Sequence, residues 1–215
     1  MANIKFNPIN DRIIDEIIKG KESINFEKRL IKDDENLKGS FNKLVGNLTA
    51  MTLRKYISNI INYHGLTYKV SNSNAFVKGC PIEWDLIILK SNAEDINNTN
   101  VFDINDCVCL LEFKTSGLMP NQYKNIDNTF KTQFNHLYAL RKTAKKNIPF
   151  GYITFAESID YYEGTLKYFD DMNGLNNTAF AFLDYQELAL KDKKKYIDEC
   201  NDFEKYLFDL FSQSK

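Results

Sequence analysis

Ile82-Glu83-Trp84-Asp85-Leu86-Ile87-Ile88-Leu89 and Cys107-Val108-Cys109-Leu110-Leu111-Glu112-Phe113-Lys114 are the stretches on which the fold turns. Each reads as a strand. Side chains alternate along a strand, so Glu112 and Lys114 share one face and Phe113 occupies the other. A charged pair at the end of an apolar strand costs free energy unless something there uses it.

The flanking elements follow from periodicity. Asn10 to Lys38 is charged and weakly amphipathic, with Ile13, Ile14, Ile17 and Ile18 fitting one short helix and Phe26, Leu30 and Ile31 another. Phe41 to Tyr63 carries a broad apolar stripe (Leu44, Leu48, Leu53, Ile57 and Ile60 among it) and predicts a helix stopped by Gly65. Leu66 to Val70 and Ala75 to Lys78 predict strand pieces around Ser71-Asn72-Ser73-Asn74, and Gly79-Cys80-Pro81 punctuates the chain before the Asp85 strand. Ser91 to Asp106 is polar and reads as a loop at a hairpin tip. Gly117 and Pro120 end the Glu112 strand. Tyr123 to Lys146 predicts a second long helix, with Ile126, Phe130, Phe134, Leu137 and Leu140 on its buried side and basic residues at its end, where they suit the helix dipole. Phe150 to Ala156 and Ala179 to Leu183 predict strands, and Asp192 to Phe211 a C-terminal helix.

Composition sets bounds. With 215 residues, 43% hydrophobic and 13% aromatic, the chain can bury a substantial core, and the simplest partition is one domain over 1–215. A net charge of −1 neither demands nor excludes a nucleic-acid partner, because a local basic patch disappears in the sum. The abundance of Phe, Tyr, Ile, Asn and Lys suggests AT-rich coding, as in bacterial or phage sources. The four cysteines, Cys80, Cys107, Cys109 and Cys200, lack zinc-ribbon spacing and read as buried thiols. Cys107 and Cys109 are expected on the face of Leu111 and Phe113. The opening residues Met1 to Asn10 hold no apolar run and no stretch reaches transmembrane length, so a cytoplasmic protein without membrane contact is expected. With only His64 and His136, a His-rich zinc site is excluded, and no Gly-rich phosphate loop, serine elbow or HExxH pattern occurs.

An acid on one strand followed by acid-x-lysine on the next is the minimal set for metal-assisted phosphodiester hydrolysis. The order helix, three strands, helix, strand, with Asp85 and then Glu112-Phe113-Lys114, resembles the PD-(D/E)XK nucleases, a superfamily that includes restriction endonucleases, junction resolvases and RecB-like exonucleases. The resemblance covers 41–156, roughly half the chain by domain-size reasoning. It implies an α/β fold with a restriction-endonuclease-like αβββαβ core, a mixed central sheet flanked by helices, and peripheral helices at 8–38 and 160–213. Two departures stand out. Pro81 lies upstream of Asp85 with Trp84 between, so the literal Pro-Asp pair is absent, and Phe41 to Tyr63 contains no acid where many members carry a glutamate. Glu35 or Glu83 substitutes, or the ligand set is thinner.

The resemblance implies a Mg²⁺ site, with Mn²⁺ able to substitute, held by Asp85, Glu112 and the Phe113 carbonyl, with Glu83 as a further candidate. Lys114 would orient the attacking water and stabilise transition-state charge. Gln133, within the apolar face of the second helix, is a supporting candidate. Lys78, Thr115, Ser116, Lys131 and Arg141 are candidate nucleic-acid contacts. The implied function is endonucleolytic hydrolysis of duplex DNA, in bacterial or phage defence or DNA processing. A structure-specific or RNA-directed nuclease and a non-catalytic interaction protein keeping the fold stand as alternatives. A homodimer is also compatible, with Tyr161, Tyr162, Phe169, Tyr206, Phe208 and Phe211 available for either an interface or the core.

Overall fold

The computed structural model describes residues 35–115, 123–156, 178–184 and 205–211. In chain order these form α1 (Glu35–Tyr63), β1 (Tyr68–Val70), β2 (Ala75–Val77), β3 (Glu83–Trp84), β4 (Leu86–Lys90), β5 (Val101–Phe102), β6 (Cys107–Thr115), α2 (Tyr123–Ala144), β7 (Phe150–Ala156), β8 (Thr178–Asp184) and a short helix α3 (205–211). The expected helices between Asn10 and Asp34, the 160–177 and 185–204 parts of the C-terminal periphery, and with them Tyr161, Tyr162 and Phe169, lie outside the described residues.

The fold is mixed α/β. A five-stranded sheet runs β1-β4-β6-β7-β8 and a three-stranded sheet runs β3-β2-β5. β1 and β4 are antiparallel, as are β4 and β6, whereas β6, β7 and β8 are mutually parallel. A parallel pair needs a crossover, and α2 supplies it between β6 and β7. Every residue from Cys107 to Phe113 is buried, as a central strand covered on both faces requires.

The two faces form separate cores. On one, Leu53, Tyr56, Ile57 and Ile60 of α1 pack with Leu111 and Phe113 of β6 and with Leu207 and Leu210 of α3. On the other, Phe130, Phe134 and Leu137 of α2 pack with Leu110, Phe150 and Trp84. Side chains of this size contribute about 1.5–3 kcal/mol each on full burial, which anchors α2 over the second half of β6. Tyr206 and Phe208 are half-buried and Phe211 is buried against the α1 face, so these three aromatics serve the core.

Gly65 ends α1 as the sequence requires. Its φ is +60°, its N–H reaches the Asn62 carbonyl at 3.1 Å, and the Leu66 N–H reaches Ile61 at 3.0 Å. This is the double closure of a left-handed C-terminal cap. α2 ends the same way one residue after Ala144: Lys145 takes φ 51°, and the Lys146 N–H bonds the Arg141 carbonyl at 3.2 Å.

Four expectations need correction. Ile82–Leu89 is not one strand: it breaks at Asp85, sending β3 into the small sheet and β4 into the large one. Ser91–Asp106 is not a plain loop. Asn97, Asn98 and Asn100 hold positive φ, which asparagine tolerates, and the Asp95 carboxylate accepts the N–H groups of Asn100 (3.0 Å) and Val101 (3.2 Å). That closure delivers β5 alongside β2 in parallel register. Cys107 does not share the face of Cys109: the register against β4 shifts between Ile88 and Leu89, and this bulge turns Cys107 toward the α2 core. Finally, the helix expected from Phe41 begins at Glu35.

Candidate active site

β6 sets out the site. Leu110 lies in the α2 core and Phe113 in the α1 core, so the intervening alternation carries Glu112 and then Lys114 to the α2 side. Glu112 is 2% exposed, a carboxylate in the middle of a hydrophobic layer. The Lys114 ammonium bonds Glu112 Oε1, and with 26% of its side chain exposed it forms the solvent edge of the pair. Glu112 Oε2 is buried and has no hydrogen-bond partner of good geometry among the described residues.

Asp85 meets them from the strand break. The β4–β6 register pairs Leu86 with Leu111, so the next step sets Asp85 opposite Glu112, and opposed residues share a face. The ladder stops there because the chain leaves for the small sheet. In its place Asp85 Oδ2 accepts the Phe113 N–H at 2.8 Å. A strand residue directs its N–H and C=O to the same side, so the Phe113 carbonyl also faces Asp85.

The electrostatics fit this crowding. Burial, followed by the charge of Asp85, pushes the Glu112 carboxyl up to about 7, against the opposing pull of Lys114 and Gln133. For Lys114 burial alone would favour the neutral amine. Attraction from Glu112 and Asp85 outweighs it, so the pKa rises and the side chain stays an ammonium. Gln133, half-buried on α2, is near enough for its amide to favour ionised Glu112, but no bond of good geometry reaches Glu112 Oε2, and its own Oε1 is buried without a partner among the described residues.

The structure thus brings Asp85, Glu112, Lys114, Gln133 and the Phe113 backbone together. Glu83 sits apart in pairing: it is exposed and lies opposite Phe76 in the small sheet. Glu35 opens α1, nineteen residues before Arg54, which is ~28 Å along a helix axis. Lys78 is exposed just past β2, and Lys131 is exposed on α2. Thr115 closes β6, and Ser116 lies outside the described residues. Arg141 is a correction. It is 7% exposed, and its Nε and Nη2 both donate to the Ile148 carbonyl, at 2.9 and 2.6 Å. It clamps the α2–β7 connection instead of facing a phosphate. Lys146 is tied down likewise, to the carbonyls of Ile104 (2.7 Å) and Cys107 (3.0 Å).

Sequence reasoning missed Arg54. From α1 its Nη2 donates to the Asp85 carbonyl at 2.9 Å and to Asn74 Oδ1 at 3.3 Å. The available signal was a guanidinium set between Leu53 and Ile57 in an otherwise apolar stripe.

The cysteines Cys80, Cys107 and Cys109 are free and buried. Burial drives the Cys107 thiol up to about 12 and that of Cys109 well above its ordinary value, so neither is a nucleophile at neutral pH. Among the described residues no three His, Cys, Asp or Glu side chains converge into a metal-binding group. No helix among the described residues is long and apolar enough to cross a membrane. No family model, curated protein or solved structure matches the chain.

Proposed function

We propose that this chain is a metal-dependent endonuclease hydrolysing DNA phosphodiester bonds, built on a restriction-endonuclease-like αβββαβ core. The observation that carries the reading is Glu112 Oε2, a buried carboxylate oxygen without a hydrogen-bond partner of good geometry among the described residues, crowded by Asp85 and edged by Lys114. The antiparallel β1-β4-β6 strands followed by a helical crossover to β7 support the same core.

The donors fit a divalent cation. An unpartnered buried carboxylate is unstable beside a second negative charge, and a hard cation that favours oxygen ligands relieves both costs. Asp85, Glu112 and the Phe113 carbonyl would hold Mg²⁺ or Mn²⁺. When bound, such an ion polarises a phosphoryl oxygen and lowers the pKa of a coordinated water.

The chain's own residues do the rest. The Phe113 N–H fixes one oxygen of Asp85 and so orients the carboxylate. Lys114, permanently charged and open to solvent on one side, attracts the phosphate and stabilises the negative charge that builds on it. Its raised pKa makes it an electrostatic group and a poor general base. Gln133 lends an amide beside Glu112, favouring the ionised form that a cation requires.

The test is incubation of the purified protein with supercoiled plasmid, single-stranded DNA and RNA, each with Mg²⁺ and with EDTA. Nicking or linearisation of plasmid with Mg²⁺ and none with EDTA is expected. Cleavage of RNA alone would move the assignment to an RNA-directed nuclease, and inertness toward all three would return it to a binding protein.

A further inference from the structure

Arg54 has a role that neither strand motif anticipates. It lies on α1, against the opposite sheet face from Glu112, yet reaches past the sheet to the point where the chain changes sheets. Its Nη2 makes two bonds at once, to the Asp85 carbonyl and to Asn74 Oδ1 at the start of β2. Asn74 is itself held, since its carbonyl accepts Asn100 Nδ2, and the Asn100 N–H is anchored to Asp95. The guanidinium therefore joins α1, the small sheet and the Asp85 junction.

The strand break makes this link matter. A continuous Ile82–Leu89 strand would carry the Asp85 carbonyl in a ladder. Here that carbonyl is turned to Arg54, and the Asp85 side chain takes the Phe113 N–H that the ladder would otherwise have satisfied. Fixing the carbonyl fixes the peptide plane from which the carboxylate projects. The arrangement has a cost: Arg54 Nε is buried without a partner among the described residues, and burial disfavours the charged guanidinium, a penalty that Asp85 counters only in part.

We propose that Arg54 is a positioning residue, which by gripping the Asp85 carbonyl and Asn74 aims the Asp85 carboxylate at the Phe113 N–H and the cation site. The metal half of this statement rests on the nuclease reading; the carboxylate half does not.

The test uses the full chain with Arg54→Ala, Arg54→Lys and Asn74→Ala. Amide exchange is followed at Phe113, with Leu111 in the adjoining ladder as the internal control. Mn²⁺ affinity is measured in parallel. Loss of a hydrogen bond to a charged acceptor accelerates exchange on the order of tenfold or more, so Arg54→Ala should expose the Phe113 amide by that factor and leave Leu111 unchanged. Mn²⁺ should bind roughly 10- to 100-fold more weakly, the usual cost of losing a group that orients a ligand. Arg54→Lys should recover part of both effects, and Asn74→Ala should reproduce them in weaker form without touching the α1 core, which keeps the test open if Arg54→Ala folds poorly. A purely structural role would loosen Phe113 and Leu111 alike, and unchanged Phe113 exchange in Arg54→Ala and Asn74→Ala would overturn the proposal. A wild-type chain that binds no Mn²⁺ defeats the nuclease reading, while the exchange data still decide whether Arg54 positions Asp85.

Discussion

Replacing Glu112 by Gln should change how stability depends on pH. The Glu112 carboxyl stands at about 7 in the folded chain against an ordinary 4.5. A raised carboxyl binds its proton more tightly in the folded state, so its stabilising contribution is complete below 4.5 and is lost as pH rises through about 7. At about 1.4 kcal/mol per pH unit, that loss sums to roughly 3 kcal/mol. Glutamine keeps the shape and cannot ionise, so the variant escapes the loss. The Lys114 ion pair exists only where Glu112 is ionised, and its pull is already contained in the folded value of about 7, so its loss adds no separate displacement of the curves. Urea denaturation from pH 4 to pH 8.5 without divalent cations should therefore show Glu112→Gln gaining roughly 3 kcal/mol on wild type across the range, or ~6–12 °C in Tm for a chain of this size. Millimolar Mg²⁺ should restore wild type at high pH and do little for the variant. Curves that stay parallel from acid to alkaline pH would refute the picture of a buried, charge-crowded Glu112.

Other outcomes follow from the same geometry. Lys114→Ala should fold normally and lose on the order of a hundredfold or more in cleavage rate, measured as single-turnover plasmid nicking. Gly151→Ala should destabilise by about 1–3 kcal/mol in denaturant titrations. A Cβ there would stand 2.6 Å from Leu111 Cδ2, 2.6 Å from Tyr206 Oη and 2.8 Å from Leu210 Cδ2, all in the seat of α3. Lys145→Gly should stabilise by up to ~1 kcal/mol in the same titrations, since glycine removes the strain of φ 51° at the end of α2.

Much of the architecture was legible because it depends on simple periodicities. The unbroken apolar run of Cys107–Leu111 announces a strand buried on both faces, and the spacing of Phe130, Phe134 and Leu137 announces the helix covering it. Gly65 marks the end of α1 for a local reason that needs no tertiary information. What was illegible depends on partners far along the chain. Nothing within Ile82–Leu89 records that Trp84 and Leu86 pair with different sheets, because both are apolar and both are buried. The bulge beside Cys107 adds no residue of distinctive type, so simple alternation assigned the wrong face. β5 spans two residues in a polar stretch and exists through the grip of Asp95 on Asn100 and Val101. Within the site, the sequence order of Asp85, Glu112 and Lys114 was visible, and so was a reason to group them. Arg141 and Arg54 looked alike as helical arginines, and only the fold sends one to Ile148 and the other to Asp85.

Whether Asp85 and Glu112 share one divalent cation is decided by a calorimetric Mn²⁺ titration of wild type, Asp85→Asn and Glu112→Gln. Wild type should bind saturably, and at pH 6, where Glu112 still holds its proton, each binding event should release about one proton to the buffer, with far less released at pH 8.5. Both variants should bind at least roughly tenfold more weakly, since each lacks one of the two charges the ion needs. Equal Mn²⁺ affinity in all three chains, or no saturable binding by wild type at either pH, would rule out the shared site.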